Sequence, residues 1–452
     1  MDPSATIFAL ASGGGRAGVA VVRVSGTQAG AVLAGLMGAE GKASETLPRH
    51  AVFSRLVDPT SGDGLDNGLV IWFPGPASFT GEDVAEFHVH GGAAVISGIL
   101  SALSRMDGLR MAEPGEFTRR AFENGKMDLT AAEGLADLVE AETEAQRKQA
   151  LRQLEGELGR VYESWRERLL SALAHSEAAI DFSDEDLPED IAATAREEIA
   201  GLEHEIADHL ADKRRGERLR DGLMIAIIGP PNAGKSSLLN LLSQRDAAIV
   251  SETAGTTRDV IEVHLDLGGY PVTLADTAGL RDDGGDAVEM EGIRRARRKA
   301  EDADLRLAVF DGQHWPVPDP STAALVDADT LAVINKCDLG DLQAPLEING
   351  QAALAVSALT GDGIDDLLSA VAKRVAGMMD AGGSPALTRA RHREALQDCR
   401  EALGRYLKGP EMSPELAAED LRLAARALGR ITGRVDVDDI LDVIFRDFCI
   451  GK

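Results

Sequence analysis

One short segment of the chain has the residue types and the spacing of a phosphate-binding loop. Residues 229–236 read Gly-Pro-Pro-Asn-Ala-Gly-Lys-Ser and match the pattern GxxxxGK(S/T), between an apolar run and a predicted helix. Glycines let backbone N–H groups close around phosphate oxygens, and a helix N-terminus adds partial positive charge. We therefore expect Lys235 to bind the β- and γ-phosphates of a nucleotide and Ser236 to bind Mg²⁺.

Three later segments, each after a predicted strand, complete a nucleotide site and select its base. Residues 276–279 (Asp-Thr-Ala-Gly) would support Mg²⁺ and the γ-phosphate. Asp338, which ends the Asn-Lys-Cys-Asp segment at 335–338, can accept the two hydrogen bonds that guanine N1 and N2 donate. Adenine lacks that donor pair and would leave the carboxylate without a partner. Because residues 357–359 (Ser-Ala-Leu) also fit a backbone contact to guanine O6, the set predicts GTP rather than ATP.

The residues that would perform hydrolysis are less clear from the sequence. The segment 255–259 (Gly-Thr-Thr-Arg-Asp) predicts a switch loop in which one threonine completes the Mg²⁺ coordination. Many GTPases follow the Asp-x-x-Gly segment with a glutamine that orients the attacking water, but Leu280 stands there. Residues 281–291 offer several carboxylates instead, and local sequence does not choose among them.

The elements that must position these residues follow from apolar periodicity. From residue 222 onward, apolar strand-like runs alternate with helical segments, which predicts a doubly wound α/β domain. The flanking regions have helical spacing, and the first 120 residues contain short strand-like runs at 19–24, 68–73 and 86–90 with a helix at 93–104. The predicted order is an α+β domain at 1–120, a helical domain formed by 121–220 and 380–452, and an inserted α/β domain at 221–379.

The composition limits the possible partners. The 452 residues have 47 Lys and Arg against 75 Asp and Glu, which gives a net charge of −28 and argues against a general electrostatic attraction to nucleic acid. The three cysteines are too few and too scattered for a disulfide framework or a zinc site. We expect a cytoplasmic protein, because we find neither a secretory signal nor an apolar stretch of about 18 residues.

Two weaker patterns indicate no function. The segment Gly13–Gly18 matches GxGxxG, but it precedes a strand instead of joining a strand to a helix, so a dinucleotide site is not expected. His88 and His90 could share one face of a strand, but no further ligands lie nearby in the sequence. Packing is therefore favoured over metal binding for both histidines.

Segments throughout the chain resemble one family. They include residues 229–237 and 254–259 in the α/β region, and Phe-Cys-Ile-Gly-Lys at 448–452. In the first 120 residues the matching segments are 72–76, 78–83, 90–92 and 114–117. The chain resembles the MnmE family of tRNA modification GTPases, also called TrmE, over essentially its whole length.

The resemblance implies a homodimer whose first domain binds a tetrahydrofolate derivative of the 5-formyl or 5,10-methylene type. The folate-contacting positions would be Arg23, Glu82, Lys126 and Lys452. It also raises a catalytic role for Cys449, which the residues alone would make a structural thiol.

The resemblance further implies that the GTPase domains pair across the dimer and that K⁺ completes the active site. The K⁺ ligands would be Asn232, Ser251, Thr253 and Thr256, and Thr257 would bind Mg²⁺ together with Ser236. Glu289 resembles the glutamate that orients the water, with Glu291 and Asp286 as alternatives. Arg258 could act as an arginine finger, although a salt bridge in the switch loop is favoured.

The predicted GTP-binding set combines the motifs with this resemblance. It comprises Asn232, Ala233, Gly234, Lys235, Ser236, Ser237, Ser251, Glu252, Thr253, Ala254, Gly255, Thr256, Thr257, Asp276, Thr277, Ala278, Gly279, Asn335, Lys336, Asp338, Ser357, Ala358 and Leu359.

The implied function is a step in tRNA modification. With a partner of the MnmG type that uses FAD, the family adds a carboxymethylaminomethyl- or aminomethyl-type group to C5 of the wobble uridine (position 34) of certain tRNAs. The acidic charge indicates that most of the tRNA affinity comes from that partner. The alternative is a GTPase switch in ribosome assembly without modification chemistry, which needs neither the folate-type domain nor the Cys-Ile-Gly-Lys ending.

Overall fold

The computed structural model describes residues 5–38, 47–181, 189–244, 248–249, 262–276, 303–340, 342, 346–379, 385–408, 414–435, 438–446 and 448–451. The chain divides into two compact units. The first contains Met1–Ala136, Gln153–Ala174 and Leu421–Lys452, and the second contains Asp137–Arg152 and His175–Asp420. No helix within the described ranges is long and apolar enough to cross a membrane.

The first unit contains a mixed six-stranded sheet in the order β3-β4-β5-β2-β1-β6. Its strands are β1 (Thr6–Leu10), β2 (Ala17–Ser25), β3 (Val52–Val57), β4 (Gly64–Phe73), β5 (Val84–Gly91) and β6 (Leu109–Met111). Neighbouring strands are antiparallel except for β1 and β6. The strands predicted at 19–24, 68–73 and 86–90 and the helix at 93–104 are confirmed.

Alternating side chains of β1 divide the core of this unit between the two faces of the sheet. Phe8 packs with Val22 and Phe87 and with the helices Ala29–Met37 and Ala93–Ser104. Ile7 and Ala9 point to the other face and pack against Phe117, which lies on the helix Glu116–Glu123. This short helix therefore covers one end of the sheet and brings polar residues to that end.

The remaining helices with residues in the first unit pack around a second apolar cluster. Leu129 and Ala132 contact Leu441, Phe445 and Phe448, so the C-terminal segment packs against the region that follows residue 126. In the C-terminal region one apolar helix face is buried, at Leu421, Ala424, Ala425, Leu428 and Ile431. The helices concerned are Leu129–Glu140, Glu157–Asp181, Pro414–Thr432 and Asp438–Arg446.

The second unit contains an eight-stranded sheet in the order β13-β14-β12-β11-β7-β10-β9-β8. The strands are β7 (Leu223–Ile228), β8 (Ala248–Ile249), β9 (Glu262–Leu267), β10 (Tyr270–Asp276), β11 (Leu305–Asp311), β12 (Thr330–Asn335), β13 (Glu347–Ile348) and β14 (Gln351–Ala355). The strands β10, β7, β11, β12 and β14 run parallel, and β9 and β10 form an antiparallel hairpin.

Both faces of this sheet are covered, as the continuous apolar run of β7 predicts. Ile225 and Ile227 belong to one apolar cluster, and Ala226 and Ile228 belong to another. Among its described residues, this region has the helices Lys235–Ser243, Pro320–Ala323 and Ile364–Met379. The predicted doubly wound α/β domain is therefore confirmed.

Helices that precede and follow the α/β region in sequence contact each other within the second unit. They are Glu144–Leu154, Glu189–Leu210, Arg215–Asp221 and Ala390–Lys408. Arg393 donates hydrogen bonds to Asp212 at 2.7 Å and to Glu217 at 2.9 Å. Burial alone would raise the pKa of Glu217, but hydrogen bonds from Arg393 and Arg214 hold it below its usual value. Helical segments on the two sides of the α/β region in sequence are thus joined by hydrogen bonds. The exact domain boundaries stay a prediction.

We expect Gly216→Ala to destabilise the contact between these segments. A Cβ at Gly216 would lie 2.3 Å from the carbonyl oxygen of Leu387, so one of the two backbones must shift. The loss should be about 1–3 kcal/mol in the free energy of unfolding, measured by urea titration with circular dichroism. Gly201→Ala is the matched control, because nothing lies within 4 Å of that helical position. It should stabilise by up to about 1 kcal/mol, and equal midpoints for the two variants would contradict the prediction.

Candidate functional site

The predicted phosphate-binding loop joins β7 to the helix Lys235–Ser243, and its two glycines are required by close contacts. Gly229 has φ +150°, and an added Cβ would lie 2.2 Å from the carbonyl oxygen of Val309. Gly234 has φ +92°, and its Cβ would lie 2.1 Å from Nδ2 of Asn335. Both ends of the GxxxxG pattern are therefore packed directly against the neighbouring strands β11 and β12.

Lys235 lies at the start of the helix with 7 % of its surface exposed. Its ammonium donates hydrogen bonds to the carbonyl oxygens of Gly229 and Pro230, at 2.8 and 2.9 Å. The ammonium therefore lies over the start of the loop, close to the N-terminus of the helix. Both the cation and the helix N-terminus favour a bound anion such as a phosphate. Ser236 follows in the first turn and is exposed, and a hydroxyl is an oxygen ligand of the kind that Mg²⁺ prefers.

The side chain of Asn335 connects the phosphate-binding loop to the predicted base-binding loop, which is the segment 357–359. Its Nδ2 donates to the carbonyl oxygen of Ala233 at 2.8 Å, and its Oδ1 accepts from the backbone N–H of Ala358 at 2.9 Å. Asn335 is only 2 % exposed and ends β12. Its amide therefore fixes the two loops relative to each other, because each half of the group is used once.

Asp338 and Ser357 come together as the base selection requires. Ser357 Oγ donates to Oδ1 of Asp338 at 2.6 Å and accepts from the N–H groups of Leu359 and Thr360. Asp338 itself is exposed. A carboxylate can accept the paired N–H donors of a guanine edge.

Asp311 is a site residue that the sequence reasoning missed. It ends β11 directly beside Asn335 in the register, and its Oδ2 accepts a hydrogen bond from Nζ of Lys336 at 2.6 Å. Burial alone would raise the pKa of Asp311, but Lys336 and the N–H of Gln313 lower it below its usual range. Lys336 has φ +66°, so the ion pair holds a strained backbone position. An acidic residue at the end of a buried strand was the available signal.

The remaining predicted site residues are described in part or not at all. Asp276 is placed only by its backbone, at the end of β10 opposite Ile227 of β7. Asn232, Ala233 and Ser237 belong to the phosphate-binding loop and the helix that follows it. The predicted residues outside the described ranges are Ser251, Glu252, Thr253, Ala254, Gly255, Thr256, Thr257, Arg258, Thr277, Ala278, Gly279, Leu280, Asp286, Glu289, Glu291 and Lys452.

A second group of predicted residues, called the second site below, lies around the segment 76–82 of the first unit and comprises Arg23, Glu82 and Lys126. The guanidinium of Arg23 lies 5.5 Å from the ring centre of Phe79 and donates to Glu86 at 2.9 Å. Glu82 belongs to the same segment, and Lys126 donates to the carbonyl oxygen of Pro76 at 2.9 Å. The structure therefore brings Arg23, Glu82 and Lys126 to one region, together with the aromatic ring of Phe79.

The C-terminal segment lies against the same sheet. Cys449 is exposed, which excludes the buried structural thiol, and its carbonyl oxygen accepts a hydrogen bond from Gly115. At Gly451, with φ +102°, an added Cβ would lie 2.1 Å from the carbonyl oxygen of Leu10. Leu10 pairs with Val22, the neighbour of Arg23, so the Cys-Ile-Gly segment is held at the end of β1 close to the second site.

The phosphate-binding loop and the base-binding loop lie together at the carboxyl edge of a doubly wound sheet. This arrangement places the chain in the class of P-loop GTPases. The GTP-binding domain expected from the motifs is thereby confirmed in its fold.

Comparison with known proteins defines the family. Residues 129–449 match the family described as the MnmE helical domain, and residues 6–126 match the GTP-binding protein TrmE N-terminus. A tRNA modification GTPase MnmE from Parvibaculum lavamentivorans is 59% identical and is covered over 100% of its length, with 99% of this chain. The chain belongs to the MnmE family, as the sequence motifs indicated.

A eukaryotic relative and a solved structure complete the comparison. The human mitochondrial 5-taurinomethyluridine tRNA synthase subunit GTPB3 is 51% identical, with 99% of this chain and 93% of that protein covered. The G domain of the Thermotoga maritima FeoB iron transporter is 21% identical and covers 34% of this chain and 98% of that chain, with a TM-score of 0.24. A TM-score at that level carries no argument.

Replacing Asp338 should test the base selection. Asp338→Asn puts an NH₂ donor where guanine also donates, so the affinity for GDP should fall by about 100-fold or more, while xanthosine diphosphate should bind better. The measurement is the Kd of each nucleotide by fluorescence titration. Asp329→Asn is the matched control, because Asp329 is an exposed residue that precedes the opposite end of β12. Unchanged GDP affinity in Asp338→Asn would refute the assignment.

Proposed function

We propose that this protein is a K⁺-stimulated GTPase, activated by pairing of its GTPase domains in a homodimer, that acts in wobble-uridine modification of tRNA. Its partner would be an FAD-dependent protein of the MnmG type, in a heterotetramer-like complex in the cytoplasm. One observation carries the proposal: the chain contains both the Asp338–Ser357 pair beside a phosphate-binding loop and a polar group around residues 76–82, with the 449–451 segment bridged to Pro114. The names of the relatives, a tRNA modification GTPase and a tRNA synthase subunit, support the same class of activity.

In this proposal, residues of the phosphate-binding and base-binding loops would bind the nucleotide and stabilise its charge. Lys235 would share its hydrogen bonds between the loop carbonyls and the phosphates, and so balance the charge that develops on the γ-phosphate. Asp338 and Asn335 would position the guanine and hold the base-binding loop against the phosphate-binding loop. Thr257 and Ser236 would bind Mg²⁺, and Glu289 would orient the attacking water in place of the missing glutamine.

The proposal for K⁺ starts from Asn232. This residue is exposed in the phosphate-binding loop and has φ +64°, and its side-chain oxygen would be a K⁺ ligand. The oxygens of Ser251, Thr253 and Thr256 would complete the set, since oxygen donors suit a hard cation. When bound, K⁺ would supply positive charge where other GTPases use an arginine finger.

The second site would bind the tetrahydrofolate derivative that donates the one-carbon unit. Arg23, Glu82 and Lys126 contribute charged groups of both signs, and Lys452 would add a cation beyond the Cys-Ile-Gly segment. The exposed thiol of Cys449 is available for a catalytic role near this site. Because the chain carries a net charge of −28, we propose that tRNA is held mainly by the partner.

The GTPase rate should depend on the monovalent cation. At equal ionic strength, the kcat measured by phosphate release should be at least about tenfold higher in KCl than in NaCl, because one missing charge at the transferring phosphate costs that much or more. Asn232→Ala should remove most of the difference between the two salts. Equal wild-type rates in the two salts would contradict the K⁺ mechanism.

Nucleoside analysis of tRNA tests the cellular function. Deletion of the gene should eliminate the modification at C5 of the wobble uridine, and a copy that encodes Asp338→Asn should restore little of it. If wobble uridines remained fully modified while ribosomal subunits accumulated as precursors, the role in ribosome assembly would replace our proposal.

A further inference from the structure

The carboxylate of Glu82 is held by two partners on different elements. Ser25, the last residue of β2, donates its hydroxyl to Oε2 at 2.7 Å. Arg120, on the helix Glu116–Glu123, donates from Nη1 to both carboxylate oxygens at 3.1 Å. The Glu82 side chain remains 24% exposed, so the carboxylate is fixed from the protein side and open on the other.

Arg120 is itself fixed from several directions. It is 5 % exposed, and its Nη2 donates to the carbonyl oxygen of Ala5 at 2.9 Å and to Glu116 at 3.0 Å. A planar guanidinium that uses its two ends in this way has a single orientation. Its contact with Glu82 is therefore directed by the fold and does not depend on a mobile surface side chain.

Glu116 balances the buried charge behind Arg120. It accepts two hydrogen bonds from Arg110, at 2.7 and 2.5 Å, and one from the N–H of Glu113 at 2.9 Å. Burial alone would raise the pKa of Glu116, but these hydrogen bonds lower it below its usual value. The charged groups therefore alternate in the order Arg110, Glu116, Arg120 and Glu82. The last of them, Glu82, is partly exposed to solvent.

We propose that Arg120, supported by Ser25, is the positioning residue for Glu82 in the folate site. The inference rests on the proposed folate binding by the first unit. The hydrogen bonds from Arg120 and Ser25 fix the direction of the remaining lone pairs of the Glu82 carboxylate. Such a carboxylate suits a ring that presents adjacent N–H and NH₂ donors, as the pyrimidine end of a reduced pterin does.

The neighbouring arginine shows why this role belongs to position 120. Arg119 precedes it on the same helix but pairs with Glu123 at 3.1 Å and with Asp442 at 2.9 Å. Its side chain is 25% exposed and the side chain of Asp442 is 63% exposed. The two arginines therefore offer a matched pair of substitutions on one helix, of which only one contacts Glu82.

The test is a double-mutant cycle on the full-length protein, with 5-formyltetrahydrofolate as the probe and the Kd measured by isothermal titration calorimetry. Arg120→Lys keeps the positive charge but loses the planar guanidinium that contacts Glu82 and Glu116 at the same time. The Kd should therefore rise about tenfold. Glu82→Gln should also raise the Kd. Adding Arg120→Lys to Glu82→Gln should raise it no further, because Arg120 acts through Glu82. Arg119→Lys, the control, should stay within about twofold of the wild type.

Each contrary result points to a different conclusion. Independent, additive losses from Arg120→Lys and Glu82→Gln would overturn the positioning role, as would an unchanged Kd in Arg120→Lys. If Arg120→Lys does not fold by circular dichroism, Ser25→Ala takes its place in the same cycle and must show the same coupling. No binding of the probe by the wild-type protein would refute the proposed folate function itself.

Discussion

The amide of Asn335 is the interaction on which the nucleotide site depends. It is buried at the end of β12, where its two halves connect the phosphate-binding loop to the base-binding loop. A buried amide with one half unpaired is costly, so both loops are constrained together. Gly234 allows this contact because any side chain there would meet the amide. The relative position of the two loops is therefore set by the side chain of Asn335 and by the lack of a side chain at Gly234.

The two candidate sites use buried charge in the same manner. In the second unit Asp311 directs Lys336, and in the first unit Arg120 directs Glu82. In each case a nearly buried charged group holds a more exposed group of opposite charge. Such pairs contribute little to stability on average, because desolvation offsets attraction. Their consequence here is the direction in which the outer group points.

The sequence predicts the contiguous parts of this structure well and the assembled parts poorly. The loop at 229–236 and the Asn-Lys-Cys-Asp segment were recognisable because their residues are adjacent and their spacing is set by backbone geometry. The strands β1, β3 and β6 were not predicted, and β6 has only three residues, too few to show a period. Arg120 could not be told from Arg119 by sequence, because only the fold decides which of them reaches Glu82.

The contacts of Lys235 bear on the thermodynamics of nucleotide binding. Its ammonium already joins the two carbonyls at the start of the loop, and Asn335 holds the loop near its end. The backbone that would surround the phosphates is thus ordered during folding of the domain. Binding then loses little conformational entropy in this loop, which leaves more of the interaction energy available for affinity and for discrimination between bases.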